Sequence, residues 1–343
     1  MSRPVAIVTG ASTGIGYFTA RGLARKGYKV VLATRNTQAG SAAAERINRD
    51  LVNRSVSFLA GDVTGGEAVF MRLDTSSLAS CSSFVDAFLA KGLSGGGLHV
   101  LCLNAGIASR ARGETRLTPE GYELVFATNF LGHFLLTLKL LDTLKMTAAS
   151  APVGAPPVRI VTLGSVTHRL VNTPPLWAEV ISGRLKRGAS YYSLSKLAAV
   201  SFAAELQRRL TGTGITAISV NPGAVSSEIW RHIPSSMACW FRPLMRMAFL
   251  TPEQGCETSL AASTQALFST DFGVITPIYL SPYTSSQWLQ NIGGYMALFG
   301  GDLIGKISLP IKSQLSTPLS IDPRVCGSLF DSCESVILRF QGL

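Results

Sequence analysis

The sequence predicts an α/β fold, a doubly wound parallel sheet held between two helical layers, three layers in all. Three observations carry this. Short β-branched runs alternate with segments of helical length, the rhythm of βαβ units. Two runs, Val5-Ala6-Ile7-Val8 and Val100-Leu101-Cys102-Leu103, are apolar throughout rather than alternating, as strands buried on both faces must be. A glycine-rich turn, Thr9 to Gly16, follows the first run directly, where such sheets open toward a ligand.

In order, the predicted strands are Val5 to Thr9, Lys29 to Thr34, Val69 to Leu73, His99 to Leu103, Val158 to Leu163 and Thr216 to Val220. Between them, Tyr17 to Gly27, Ser77 to Lys91, Gly121 to Lys145 and Ser193 to Leu210 have helical length and apolar spacing. Ser55 to Ala68, with three glycines, and Thr147 to Pro157, rich in Ala and Pro, read as solvent-facing loops. After about Asp271 no clean period returns until Cys326 to Leu338. One domain over residues 1–270 is therefore expected, with residues 271–343 a C-terminal extension packed on or beside a substrate lid.

The chain has 343 residues with a net charge of +11, yet only 15% are charged and 47% are hydrophobic. That balance excludes a disordered chain and a small disulfide scaffold. The basic residues are dispersed and no recognition motif accompanies them, so no nucleic-acid partner is expected. The six cysteines form no CxxC pair and no His is spaced to complete a zinc site, so no metal is expected. Neither a cleavable leader nor a spanning helix is evident, and the longest charge-free stretch, Phe272 to Gly301, is broken by Pro277 and Pro282. The expected location is intracellular, cytoplasmic or peripheral on an organelle membrane.

The turn Thr9-Gly10-Ala11-Ser12-Thr13-Gly14-Ile15-Gly16 opens a helix. Glycines there allow a tight bend and let backbone N–H groups and a helix N-terminus approach a pyrophosphate. At the end of the second strand, where an acid would hold a ribose 2′-hydroxyl, there is no Asp or Glu but there is Arg35, which suits a 2′-phosphate and so NADP(H). In Tyr192-Ser193-Leu194-Ser195-Lys196, the i and i+4 side chains share a helix face. An ammonium and a cationic nicotinamide beside Tyr192 would favour phenolate, and bringing a phenol from about 10 to neutrality needs ~4 kcal/mol. Tyr191 lacks a Lys four residues later. Taken alone, Tyr-xxx-Lys also marks ordinary amphipathic surface.

TGASTGIG, Asn104-Ala105-Gly106, Gly164-Ser165, YSLSK and Asn221-Pro222-Gly223 occur in the order and approximate spacing of the short-chain dehydrogenase/reductase family, whose Rossmann-like fold the chain resembles over about residues 4 to 265. Asn129-Phe130-Leu131-Gly132-His133-Phe134, Arg159 to His168 and Thr251-Pro252-Glu253-Gln254-Gly255 look like its retinol-dehydrogenase-like branch. The resemblance implies that Tyr192 is the general acid/base and that Ser165 steadies the reacting oxygen. Lys196 would bind the nicotinamide ribose and lower the Tyr192 pKa, and Asn129 would hold a water that relays protons to Lys196. It implies cofactor contacts from Gly10, Ser12, Thr13, Gly14, Ile15 and Gly16, from Arg35, and from Asn104, Ala105 and Gly106. Tyr192, Lys196, Pro222, Gly223 and Ser227 would complete them. Asp74 matches the acid on the adenine amino group. Asp62 competes by local wording, but Asp74 lies 30 residues before Asn104 against 42 for Asp62, closer to the family interval.

Two departures are Leu103 and Gly164, where the family usually has Asn and Ser. Neither removes a reacting group. His133 and His168 read as structural or surface residues, and no Gly-x-Ser-x-Gly elbow makes a nucleophile of Ser193 or Ser195. Met237 to Leu250 is mostly apolar with two arginines, and fits either a lipophilic entrance resting on an anionic membrane or a core-packed lid. The expected activity is NADP(H)-dependent interconversion of an alcohol and a carbonyl on a lipophilic, retinoid-, steroid- or lipid-like substrate. The alternatives are a protochlorophyllide-reductase-like enzyme and a non-catalytic NADPH-binding assembly or regulatory subunit. Peripheral membrane contact, and a homo-oligomer or complex partner met through the extension, are the partners expected besides substrate.

Overall fold

The computed structural model describes residues 3–53, 65–93, 95, 97–108, 115–185, 190–223, 225, 250–265, 278–282, 311–314 and 316–342. Its centre is an eight-stranded sheet. The strands are β1 (Val5–Thr9), β2 (Lys29–Thr34), β3 (Glu67–Arg72), β4 (Leu98–Leu103), β5 (Val158–Leu163), β6 (Ile215–Val220), β7 (Ile278–Pro282) and β8 (Ile311–Gln314). They lie in the order β3-β2-β1-β4-β5-β6-β7-β8. All neighbours pair in parallel except β8, which runs antiparallel to β7. The chain winds outward from β1 to β3, then crosses back to place β4 on the other side of β1, with Ile7 paired to both Val31 and Leu101. The crevice at the C-terminal ends of β1 and β4 is the topological switch point, the usual ligand position in such sheets.

One face of the sheet is covered by α1 (Gly14–Arg25), α2 (Thr37–Val52) and α8 (Glu257–Thr264), and the other by α3 (Leu78–Ala90), α4 (Leu124–Ser150) and α6 (Tyr191–Arg209). On the first face small residues, Ala20 and Ala24 from α1 and Ala43 and Ala44 from α2, pack beside Tyr17, Leu23 and Ile47. Large ones meet the second, where Phe126, Phe130, Phe134 and Phe202 form an aromatic chain with centroids 5.2–6.1 Å apart. By length and composition α4 is apolar enough to cross a membrane, but 72% of its apolar window is buried within the protein. It is a core helix.

The short α5 (Trp177–Ile181) and the C-terminal α10 (Pro323–Gln341) close this second layer. The Trp177 indole donates to the Val325 carbonyl (3.3 Å), Phe330 meets Phe134 edge-on (5.0 Å), and Arg209 lies over the Phe330 ring (3.6 Å). Short helices among the described residues also include α7 (Pro252–Gly255), tied to α1 by the Arg21–Glu253 ion pair, and α9 (Pro318–Ile321).

The six predicted strands are all present, with β1, β2 and β5 at the expected bounds. β3 begins at Glu67 rather than Val69, because it is the sheet edge and tolerates polar ends. α2 was not anticipated. Its buried stripe, Gly40, Ala43, Ala44 and Ile47, has helical spacing but little bulk, and Asn36 caps it by accepting from the Ala39 N–H (2.9 Å). Helix α4 runs on to Ser150 through part of the predicted loop, with Thr147 buried and its hydroxyl donating to the Thr143 carbonyl. β7 and β8 extend the sheet from within the tail, and α10 is longer than the predicted Cys326 to Leu338. Most of Ser55 to Ala68 and of Phe272 to Gly301 lies outside the described residues.

Candidate active site

The glycine turn leaves β1 at the switch point. Gly10 and Gly14 have φ of +65° and +61°, a region that side chains with a Cβ rarely adopt. Gly10 and Gly16 are also packed: a Cβ on Gly10 would lie 2.9 Å from the Ala105 Cα, and one on Gly16 2.4 Å from the Asn104 Nδ2. A Cβ on Gly14 would meet nothing within 4 Å, so that side of the turn is open. Thr13 is the N-cap of α1 but its side chain makes no cap bond, leaving the start of the helix to a ligand. This open cradle at a helix N-terminus fits a dinucleotide pyrophosphate.

The opposite wall is the exit of β4. Asn104 Nδ2 donates to the Thr9 carbonyl (2.8 Å), and the N–H groups of Asn104 and Ala105 both donate to Thr9 Oγ1 (2.9 Å each). Asn104 is thus a latch between β4 and the glycine turn as well as a wall. Arg35 is exposed one residue past β2. Asp74 lies two residues past β3, its carboxylate accepting from the Ser76 N–H (3.0 Å) and hydroxyl (2.6 Å). Pro222 and Gly223 follow β6, where the Gly223 N–H donates to Asn221 Oδ1 (3.2 Å). Ser227, the rival Asp62 and residues 237–249 of the proposed lid lie outside the described residues.

The reacting groups come from three elements beyond the sheet edge. Ser190 caps α6 by accepting from the Ser193 N–H, which places Tyr192 in the first helical turn and Lys196 one turn on. Ser165, just after β5, accepts from the Thr167 N–H (3.3 Å) and hydroxyl (3.1 Å). With both lone pairs used, the Ser165 proton is directed to the Tyr192 oxygen, to which it is hydrogen-bonded. Burial pushes the Tyr192 phenol above its ordinary value, and the Ser165 hydrogen bond opposes that. Tyr191, by contrast, packs against the core.

Lys196 is buried, and burial holds its ammonium down to about 8. It donates to the Leu163 carbonyl (2.7 Å) and lies 5.6 Å from the Tyr192 ring centroid. The depressed Tyr192 pKa expected from Lys196 is therefore not supplied by the chain on its own, since no direct Lys196 to phenol hydrogen bond offsets the burial.

Asn129 sits in a π-helical turn, Ala127–Leu131, at the head of α4. Such turns shift the hydrogen-bond register and recur at functional sites. Its amide donates to the Ile107 carbonyl (2.9 Å) and Ser195 Oγ (3.0 Å), and its Oδ1 accepts from the Ile107 N–H (2.8 Å). Gly106 lies between: a Cβ there would be 3.3 Å from Asn129 Oδ1 and 3.8 Å from Lys196 Nζ. The structure thus gathers Ser165, Tyr192, Lys196, Asn129 and the glycine turn at one end of the sheet. His133 and His168 are both buried and held neutral, at about 4. Among the described residues, no group of three or more His, Cys, Asp or Glu could hold a metal.

Residues 4–172 match the family described as short chain dehydrogenase. Human retinol dehydrogenase 12 is 38% identical over 258 residues, covering 75% of this chain and 72% of that protein. The chain belongs to the short-chain dehydrogenase/reductase family. Its place is in the retinol-dehydrogenase-like branch, as a further relative shows: human polyprenol dehydrogenase is 36% identical over 266 residues, with coverage of 76% and 72%. Among solved structures, the 3-ketoacyl-(acyl-carrier-protein) reductase of Brucella melitensis, complexed with NADH, superposes with a TM-score of 0.58 at 23% identity. The match covers 86% of this chain and 98% of that one, and it establishes the short-chain dehydrogenase fold. The family match and these dehydrogenase relatives make the chain an oxidoreductase.

Proposed function

We propose that this short-chain dehydrogenase is an NADP(H)-dependent enzyme that interconverts an alcohol and a carbonyl on a lipophilic, retinoid-, steroid- or lipid-like substrate. The observation that carries the proposal is the convergence of Ser165, Tyr192 and Lys196 beside the open glycine turn. The named substrates of two relatives, retinol and polyprenol, are both lipophilic alcohols.

The nicotinamide, when bound, supplies or accepts hydride at the substrate carbon. The chain supplies the rest. Tyr192, protonated because it is buried, gives its proton to the carbonyl oxygen in reduction, and in oxidation it must first lose that proton and then, as phenolate, takes one from the hydroxyl. Ser165, its oxygen fixed by Thr167, would turn its one proton from Tyr192 to the substrate oxygen on which charge develops. Lys196, held near 8, remains largely charged at neutrality and, together with the cationic nicotinamide ring, would favour phenolate in the oxidative direction. Asn129 would hold the water through which Lys196 exchanges protons with solvent. Arg35, exposed at the end of β2 with no acid in the adjoining strand-to-helix turn, would pair with a 2′-phosphate.

Purified protein assayed against long-chain and small polar carbonyls, with NADPH and NADH in parallel, tests this. Turnover of the lipophilic substrates with NADPH, abolished by Tyr192→Phe, is expected. Activity confined to small polar substrates overturns the substrate class. Tight NADPH binding without turnover on any substrate, in wild type as in Tyr192→Phe, overturns the enzymatic reading and favours a binding subunit.

A further inference from the structure

The described residues contain a hydrogen-bond chain that the catalytic groups do not use directly. Thr9 Oγ1 accepts from two backbone N–H groups, those of Asn104 and Ala105, at 2.9 Å each. A hydroxyl has two acceptor positions and one proton, so both lone pairs are engaged. Its proton has two available acceptors: the Cys102 carbonyl at 3.4 Å, and His133 Nε2 at 2.9 Å. The shorter contact cannot be a bond donated by the imidazole, because no lone pair remains on Thr9 to receive it. His133 Nε2 is therefore the acceptor, the ring proton is on Nδ1, and that N–H donates to the Asn129 carbonyl at 3.0 Å. Burial and the nearby Lys196 ammonium keep the ring neutral, as this arrangement requires.

We infer that His133 is a positioning residue, tying the backbone of Asn129 to the hydroxyl that orders the cofactor wall at Asn104 and Ala105. The inference rests on the oxidoreductase reading above, in which Asn129 serves Lys196 and the wall at Asn104 lines the cofactor. Each ring nitrogen has a distinct task. Nε2 fixes the Thr9 rotamer and through it two N–H groups of the wall. Nδ1 fixes the carbonyl of a residue in a π-turn, where the helical ladder is already irregular.

Two amide replacements separate the tasks. His133→Asn places an amide near Nδ1 and none near Nε2, whereas His133→Gln does the reverse. Losing one net hydrogen bond at a positioned group is worth up to roughly tenfold. His133→Gln is expected to lower kcat by about that factor, shift the pH profile of kcat, and leave the KM for NADPH near wild type. His133→Asn is expected to raise the KM for NADPH by a similar factor with kcat and its pH profile retained. Equal changes in both parameters for both variants, or lowered Tm with neither parameter moved, would mean a merely structural histidine and overturn the inference.

A measurement on the wild-type protein stands apart from folding of the variants. Nitrogen NMR of labelled histidine is expected to show His133 as the neutral Nδ1–H tautomer at neutral pH. Finding Nε2–H or a charged ring overturns the inference. Tyr192→Phe assayed alongside keeps the two readings distinct: turnover that survives it counts against the proposed mechanism, while the tautomer still decides the role of His133.

Discussion

Gly16 and Gly14 stand two residues apart on the same turn yet have opposite sensitivities. A methyl group on Gly16 would press against Asn104 Nδ2 at 2.4 Å and the Gly10 carbonyl oxygen at 2.5 Å, undoing the latch between β1 and β4. Gly16→Ala is expected to destabilise the fold by about 2 kcal/mol, in the range for overpacking, and to weaken NADPH binding, as thermal unfolding and titration would show. Gly14→Ala meets no atom within 4 Å and should cost only the left-handed backbone penalty, about 1–2 kcal/mol. Its effect on NADPH affinity should be larger than on the stability of the free protein. Arg35 is exposed, so Arg35→Ala should leave stability within about 0.5 kcal/mol while raising the KM for NADPH and not that for NADH. Unchanged preference between the two cofactors would remove Arg35 from the 2′-phosphate role. Residues of this kind were legible because their chemistry is local, as in the one-turn spacing of Tyr192 and Lys196. Thr9 and His133 were not, since 124 positions separate them and no local pattern announces a contact between a strand end and a helix.

At the scale of elements, the strands were readable wherever they are buried on both faces and blurred where they are not. β1 and β4 are buried along their whole length, whereas β3 at the sheet edge is only partly so and its bounds were displaced. α2 escaped because alanine and glycine carry its buried stripe apart from Ile47. α10 shows the opposite difficulty: its apolar face is plain, but what it covers is set by tertiary packing. Val325, Leu329, Phe330, Val336 and Ile337 join the same core cluster as α4 and α6. Phe330 touches the rings of Phe134 and Phe202 and lies beneath Arg209. Phe330→Ala is therefore expected to cost about 3–5 kcal/mol, as for a large buried aromatic, read by denaturant unfolding. Because α10 packs on α6, which carries Tyr192 and Lys196, the loss should also lower kcat near the melting transition but not well below it. A loss under about 1 kcal/mol, the scale of a surface change, would show that the tail is an appendage.

For the whole molecule, the doubly wound topology brings the ends of β1, β4, β5 and β6 to one edge of the sheet, and the same topology buries two histidines beneath that edge. His133 and His168 are held at about 4 against an ordinary 6.5 because burial disfavours their charged forms. The unfolded chain therefore binds more protons than the folded one between those values, so stability rises with pH across that window and is lost as pH falls through it. At pH 5 each ring would contribute a loss of up to about 2 kcal/mol, from the fall of one and a half units below the unfolded value at 1.36 kcal/mol per unit. Lys196 acts in the same direction at the other end of the scale. Its folded value of about 8 lies below the ordinary 10.5, so its buried ammonium penalises the fold at neutrality, and that penalty is relieved as pH rises through 8 toward 10.5. Thermal unfolding followed from pH 7 to pH 4.5 is expected to show a steep fall in Tm, shallower in His168→Asn once its lower starting stability is subtracted. Glu123 and Glu257, whose carboxyl pKa values burial raises, act in the opposite sense as pH falls. A Tm still flat over that interval when both are replaced by Gln would mean that the two rings take up protons in the folded protein as they do unfolded, and the neutral His133 on which the Thr9 to Asn129 connection depends would be lost with it.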